Sequence, residues 1–221
     1  MDYAQARSNM VEQQIRPWDV LDMRVLDVMA ELPRETFVPV GRAGLAYADV
    51  EIPLDSSASM LAPKVVGRLL QAIDPGHNET ALEIGTGSGY VTACLSQLCA
   101  QVDSLERRDD WRLQARARLD SLGIRNVNLR TLTVTPNTSS AQWPRQRYDL
   151  IIVTGSMSEY HPFLQDYLAL GGRLFVVVGD APVMYARKII RVAEHSFHTE
   201  TLFETDLQPL VGFERQPEFV F

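Results

Sequence analysis

The stretch Ala81-Leu82-Glu83-Ile84-Gly85-Thr86-Gly87-Ser88-Gly89-Tyr90 constrains this chain more than any other. A buried strand runs into a turn built on alternate glycines, and a helix follows. That order opens a parallel α/β sheet, whose ligand crevice lies beyond the carboxyl ends of the strands. Glycine in the turn lets the backbone bend sharply and approach a ligand with no Cβ in the way. The next apolar run, Gln101–Glu106, ends on an acidic residue. A carboxylate there can accept from both hydroxyls of a ribose.

The rhythm after residue 80 extends this unit. Strands are predicted at Thr80–Ile84, Gln101–Glu106, Val127–Thr133, Tyr148–Thr154 and Arg173–Gly179, and helices at 88–99, 108–122 and 160–170. The alternation predicts an α/β fold, a doubly wound and mostly parallel sheet with helices on both faces. Two further strands, near Lys188–Ala193 and Thr199–Val211, are expected as an antiparallel edge pair in the tail, 187–221. They bring the sheet to seven strands. Ahead of the core, helical spacing covers 3–15 and 19–31, with Pro17 between them and Asp19 and Asp22 placed to favour the second start. Pro33, Pro39, Pro53 and Pro63 punctuate 33–63, which reads mostly as loop. A helix carrying Val65, Val66, Leu69, Leu70 and Ile73 then stops at Asp74-Pro75-Gly76. The chain reads as one domain over 1–221. Residues 1–78 hold N-terminal helices and a loop, and 79–221 hold the α/β core.

Composition narrows the partners. A chain of 221 residues buries roughly 70 % of its unfolded surface and needs no metal or disulfide to fold. Its net charge of -7 offers no cationic excess for nucleic-acid phosphates. Cys94 and Cys99 share one predicted helix at a spacing that points them apart, so both are expected as free thiols in a reducing compartment. No cysteine–histidine cluster has zinc spacing, so no metal is expected. The N-terminus lacks the apolar core of a signal peptide, and no apolar run reaches the length of a membrane span. A cytoplasmic protein with neither nucleic-acid nor membrane partner is expected. The sequence carries no signal for oligomeric state.

The glycine spacing discriminates between nucleoside cofactors. A dinucleotide calls for Gly-x-Gly-x-x-Gly, and here the position of its last glycine is Tyr90. No Gly-Lys-Ser/Thr element is present, which excludes a P-loop. S-adenosylmethionine has no phosphate and carries a sulfonium. It suits Glu-x-Gly-x-Gly-x-Gly with an acid, Glu83, at the strand end. The alternative is a glycine turn that holds no ligand. The cofactor candidates are therefore Glu83, Gly85, Thr86, Gly87, Ser88, Gly89 and Glu106.

Beyond the turn, further segments fall in a recognisable order. They are Met10-Val11-Glu12-Gln13-Gln14-Ile15-Arg16, then Pro33-Arg34-Glu35-Thr36-Phe37-Val38-Pro39, then Ala46-Tyr47-Ala48-Asp49. The glycine motif, Ser104-Leu105-Glu106-Arg107, Tyr148–Thr154, Gly171-Gly172-Arg173-Leu174 and Leu207-Gln208-Pro209-Leu210-Val211-Gly212 follow. With these the chain resembles, over nearly its whole length, the protein-L-isoaspartate O-methyltransferases. The glycine motif alone indicates a methyltransferase. The N-terminal helix and the Phe-Val-Pro element make the resemblance specific. It implies a Rossmann-like class I methyltransferase fold with an N-terminal helical extension, and S-adenosyl-L-methionine as cofactor. It also implies methylation of the α-carboxylate of isoaspartyl residues in damaged protein.

The sequence departs from the family pattern in two places. The family's acceptor loop, Pro-Ile-Gly-x-Gly-Gln-Thr-Ile-Ser-x-Pro, corresponds to Pro53-Leu54-Asp55-Ser56-Ser57-Ala58-Ser59-Met60-Leu61-Ala62-Pro63. Its active-site serine falls on Leu61 and its threonine on Ser59, which becomes the candidate acceptor contact. The family's Gly-Asp-Gly, whose Asp helps to hold the adenine, corresponds to Leu132-Thr133-Val134, so Thr133 joins the cofactor candidates. A carboxylate acceptor is already ionised at neutral pH, so catalysis is mostly in-line positioning, and Leu61 removes a positioning donor, not a nucleophile. Three readings stand: the family reaction at a reduced rate, the same scaffold with another acceptor, and a non-catalytic cofactor-binding protein. Asp55 reads as a turn-former, His161, His195 and His198 as surface or strand residues, and Trp111 and Trp143 as packing residues.

Overall fold

The structure, a computed structural model, describes residues 2–145 and 147–215. Met1, Gln146 and the last part of the predicted tail, 216–221, lie outside the described residues.

Helix α1 (Tyr3–Met10) starts on Asp2, whose carboxylate accepts from the Gln5 N–H at 3.1 Å. The predicted helix over 3–15 is interrupted. Val11–Ile15 widen into a π turn and Arg16–Trp18 tighten into a 3-10 turn. Met10, Val11 and Ile15 are all buried in the core across this widened turn. Helix α2 (Met23–Glu31) begins later than the expected 19, because Asp19 is left-handed at φ 59° and Asp22 is the residue that caps. Residues 33–63 carry 3-10 turns at Arg34–Phe37 and Ala43–Leu45. They also form a small hairpin of β1 (Ile52–Pro53) and β2 (Ser59–Met60), with Ile52 opposite Met60. Helix α3 (Pro63–Ile73) follows, with proline in its first turn where no N–H is needed.

The sheet holds β3 (Thr80–Ile84), β4 (Gln101–Glu106), β5 (Val127–Thr131), β6 (Tyr148–Met157), β7 (Leu168–Asp180), β8 (Val183–Ala193) and β9 (Ser196–Thr205). Their spatial order is β5-β4-β3-β6-β7-β8-β9. The first five pair in parallel, while β8 runs antiparallel to both its neighbours. The strand order reverses between β3 and β6, and that gap is the switch point at which such a sheet takes its ligand. Helices α4 (Tyr90–Leu98) and α5 (Asp109–Ser121) cross between β3, β4 and β5. They share one face of the sheet with α1–α3, over a core that includes Leu70, Ala81, Leu95, Val102 and Phe175. The other face is covered differently. Irregular segments carrying Val134, Trp143 and Leu164 pack there on Leu82, Ile151 and Val176.

That second face corrects the predicted helix over 160–170. Only Pro162–Tyr167 coil, as a 3-10 run, and Leu168 already pairs with Tyr148 in the sheet. The chain kinks at Gly171-Gly172, where a Cβ on Gly172 would stand 2.9 Å from the Ala169 carbonyl oxygen, and the strand resumes. Strand β5 stops at Thr131, two residues short of Thr133. β8 begins earlier than Lys188. The last strand occupies Ser196–Thr205 in place of Thr199–Val211. Residues past 205 leave the edge and return to the end of β6, where Ser156 accepts from the Leu210 N–H at 2.9 Å and donates its own N–H to Gln208 at 3.0 Å. Among the described residues no helix is long and apolar enough to cross a membrane.

Candidate functional site

The turn after β3 is held in shapes only glycine adopts readily. Gly85 has φ 97°, and a Cβ on it would stand 2.3 Å from the Thr154 hydroxyl. That hydroxyl donates to the Gly85 carbonyl at 2.6 Å. Gly89, at φ 88°, lets α4 pack against α5, since its Cβ would be 3.1 Å from that of Ala115. Beneath the turn Glu83 is fully buried. Its Oε2 accepts from Ser104 Oγ at 2.5 Å and from Thr92 Oγ1, and Ser104 Oγ meets Thr86 Oγ1 at 2.5 Å. Its Oε1 has no partner. Burial raises the Glu83 pKa to about 8, against the two hydroxyl donors that favour the charged form.

Glu106, at the end of β4, is buried and turned toward the glycines. Its Oε2 accepts from the Gly87 N–H at 2.9 Å and its Oε1 from the Arg108 N–H at 3.0 Å. Each oxygen keeps a lone pair for a further donor. Ser88 Oγ accepts weakly from the Tyr90 N–H at 3.3 Å, which places it at the start of α4 rather than free in the crevice.

The β1–β2 hairpin forms a strap over this turn. Leu54 reaches Gly87, whose Cβ would stand 3.2 Å from the leucine methyl. Asp55 makes the turn expected of it, accepting from the Ser57 N–H at 2.7 Å, and also binds Arg108 at 2.5 Å. Arg107 donates to the Ser57 hydroxyl at 3.3 Å. Ser59 is half-buried on β2 and, among the described residues, its hydroxyl is uncommitted. Leu61 is buried at 6 % exposure, and its carbonyl accepts from Arg34 at 2.7 Å. Arg34 is wholly buried, donates also to the Ala46 carbonyl at 2.8 Å and lies 4.6 Å from the Tyr90 ring centre. Its Nη1 has no partner, and desolvation lowers its pKa from the ordinary value.

One cleft, with about 1030 Å³ of empty space that includes solvent at its mouth, joins these parts. Glu83, Gly85, Gly87 and Glu106 form its floor, Ser59 and its neighbours the strap, and Gln208–Val211 the far wall. Leu132, Thr133 and Val134 close the remaining side, with Val134 buried and Thr133 exposed at the rim. Of the residues singled out as site candidates in the sequence, Ser59, Glu83, Gly85, Thr86, Gly87, Ser88, Glu106 and Thr133 line this one space, whereas Gly89 does not and instead faces Ala115 of α5.

The floor fits S-adenosylmethionine better than a dinucleotide. An unpartnered carboxylate oxygen at the bottom of the cavity favours a cation such as the cofactor's ammonium, and would repel a pyrophosphate. Comparisons with known proteins agree. The family model for protein-L-isoaspartate (D-aspartate) O-methyltransferase matches residues 5–215.

The chain belongs to this family.

A protein-L-isoaspartate O-methyltransferase of Syntrophotalea carbinolica is 37 % identical over 214 residues, covering 96 % of each chain. One from Pelobacter propionicus is 36 % identical over 96 % of this chain and 98 % of its own. Among solved structures, a Plasmodium falciparum chain described as a protein-L-isoaspartate O-methyltransferase, in complex with S-adenosyl-L-homocysteine, superposes with TM-score 0.80. It has 19 % identity and covers 96 % of this chain and 99 % of that one. A second protein-L-isoaspartate O-methyltransferase gives 0.76 at 21 % identity, covering 92 % of this chain and 65 % of the other. Family and fold together are those of S-adenosylmethionine-dependent O-methyltransferases.

Several members of the site escaped the sequence. Arg107 and Arg108 follow Glu106 directly and bind the strap. Trp111, expected as packing, lines the cavity and carries Arg108 on its ring at 4.3 Å. Trp143 does pack, 4.5 Å from Tyr167. Glu51 enters the cavity just ahead of β1. A charged residue in a proline-punctuated loop was the available signal for it.

Proposed function

We propose that the protein transfers a methyl group from S-adenosylmethionine to the α-carboxylate of isoaspartyl residues in damaged protein. The reading is carried by the continuous cavity that joins the Glu83–Glu106 floor to the Ser59 strap. In it, Glu106 holds the ribose diol, Glu83 Oε1 receives the ammonium, and the backbone of Gly85, Thr86, Gly87, Ser88 and Gly89 shapes the turn. Leu132, Thr133 and Val134 flank the adenine, with the Thr133 hydroxyl as its polar contact. When bound, the cofactor supplies an activated methyl group. The acceptor carboxylate needs no base at neutral pH, so the chain's own work is alignment. Ser59 donates a hydrogen bond that orients the carboxylate, and Met60 and Leu61, both buried, keep water from the path. Such alignment is worth several kcal/mol, roughly 7–11 where the orientation is ideal.

Calorimetry with S-adenosylmethionine, followed by a methyl-ester assay on an isoaspartyl peptide with the same sample, tests this. Binding and ester formation are expected. Ser59→Ala is expected to lower kcat/KM by about tenfold, the loss of one hydrogen bond to a charged group, with cofactor affinity unchanged. Binding without ester would leave the fold's other use, methylation of a different acceptor. Leu61 favours that second reading, because it offers no side-chain donor where the family pattern has a serine. The free, buried Cys94 and Cys99 support the cytoplasmic location that belongs to this proposal.

A further inference from the structure

Arg34 is a wholly buried cation without a counter-ion. Its Nε donates to the Ala46 carbonyl at 2.8 Å and its Nη2 to the Leu61 carbonyl at 2.7 Å, both neutral acceptors. Its Nη1 meets no acceptor. Among the described residues no carboxylate pairs with the guanidinium, and the adjacent acid, Glu35, is taken by the Tyr47 hydroxyl. The guanidinium carbon lies over the Tyr90 ring, 4.6 Å from its centre. Tyr90 is buried as well, and its own hydroxyl has no partner. Burial holds the Tyr90 pKa well above its ordinary value, so the hydroxyl keeps its proton and remains a donor.

Both residues line the cavity together with Glu83. Three buried polar atoms therefore stand unpaired around one space: the donors Arg34 Nη1 and Tyr90 Oη, and Glu83 Oε1, which suits a cation. They come from the 3-10 turn ahead of the strap, the first residue of α4, and β3. Each is costly to leave unpaired, the guanidinium most of all, and a ligand of complementary charge offsets that cost. A carboxylate suits the two donors. The amino-acid end of S-adenosylmethionine carries a carboxylate beside its ammonium, and so matches all three atoms. The acceptor brings a carboxylate alone.

We propose that Arg34 Nη1 and the Tyr90 hydroxyl form a carboxylate subsite in this cavity, filled by the amino-acid end of the cofactor. Both atoms are closed to bulk solvent, so the strap at Leu61 gives way as the carboxylate reaches them. The subsite rests on the cavity as the place of cofactor and acceptor, and the acceptor's carboxylate is chemically the same group, so the test has two arms. The first compares, by calorimetry, S-adenosylhomocysteine with its decarboxylated analogue, which keeps the amine. The wild type is expected to bind the analogue about 30-fold more weakly, the scale of a charged hydrogen bond lost in a buried place. In Tyr90→Phe, which keeps the ring against the guanidinium, this ratio should fall about fivefold. In Arg34→Met it should fall to within about threefold. The second arm saturates the protein with S-adenosylhomocysteine and compares an isoaspartyl peptide with the same peptide carrying an amide in place of the α-carboxylate. A ratio that collapses in the variants in this arm supports the subsite and assigns it to the acceptor. A wild-type ratio near one in both arms, or ratios that survive in the variants, overturns it. Should Arg34→Met not fold, Tyr90→Phe decides alone. An acceptor reading that fails shows as no peptide binding in the second arm, and leaves the first arm to decide the subsite.

Discussion

Glu83 is the residue in which sequence and physics meet most directly. Its place at a strand end, six positions before Gly89, made it a cofactor candidate. What no sequence shows is that its Oε1 is left unpartnered and that burial raises its pKa to about 8. The folded, ligand-free protein thus keeps Glu83 protonated below that pH, whereas the unfolded chain ionises near the ordinary value. This group's contribution to stability falls as pH climbs between the two, then levels off. A cation placed at Oε1 reverses the preference and expels the proton. Cofactor affinity is therefore expected to rise from pH 6 to pH 8, by up to about tenfold per unit, and then to flatten. Calorimetry at pH 7 in buffers of differing ionisation heat should show proton release, and Glu83→Gln should abolish it. Binding by the wild type without proton release would refute the role. Glu106 was legible for the same reason as Glu83, its place at the end of a strand. Glu51 was not, because it sits in a loop with no period to read and only the fold brings it to the cavity.

Among the elements, the strap is the part that departs from its family and shows what the departures do. Two positions that are glycines in the family pattern carry Asp55 and Ser57, and these are the residues held by Arg108 and Arg107. The strap is thereby tied to the segment that follows β4. Asp55→Ala is expected to loosen it and to speed release of S-adenosylhomocysteine only modestly, by up to about fivefold, since a solvent-screened ion pair holds weakly. Stopped-flow release should lose most of its salt dependence in the variant. An unchanged release rate would mean that Leu54 alone holds the strap. Buried strands with continuous aliphatic runs were read with both ends right at Thr80–Ile84 and Gln101–Glu106, because nothing competes with a run covered on both faces. The segment over 160–170 was misread. Its Leu164 and Leu168 carry helical spacing, yet Leu168 is fixed by pairing with Tyr148, a long-range contact that overrides local periodicity.

For the whole molecule, the junction between the N-terminal helices and the sheet rests on Arg173 in β7. Its guanidinium binds the Glu79 carboxylate at 2.6 Å and the Ile73 carbonyl at 2.9 Å, and it also reaches the Asp74 carbonyl. One side chain so closes the end of α3 and fixes the entry to β3. Arg173→Ala is expected to lower stability by about 2–3 kcal/mol, the cost of charged hydrogen bonds left unmade in a partly buried place. Urea unfolding should show a lower midpoint at unchanged slope. The alternation of strands and helices made the parallel sheet and its crevice legible. The face covered by irregular aromatic segments was not, since those segments have no period to read and are placed by the sheet they cover.

The strap also has a consequence in time. Residues 34–61 leave the ribosome ahead of nearly everything they rest on. Arg34 stacks on Tyr90, Leu54 lies over Gly87, and Asp55 and Ser57 wait for Arg108 and Arg107. The strap is translated before its partners and cannot settle until residues 87–108 have followed it, and Arg34 stays hydrated in the nascent chain until Tyr90 has emerged to cover it.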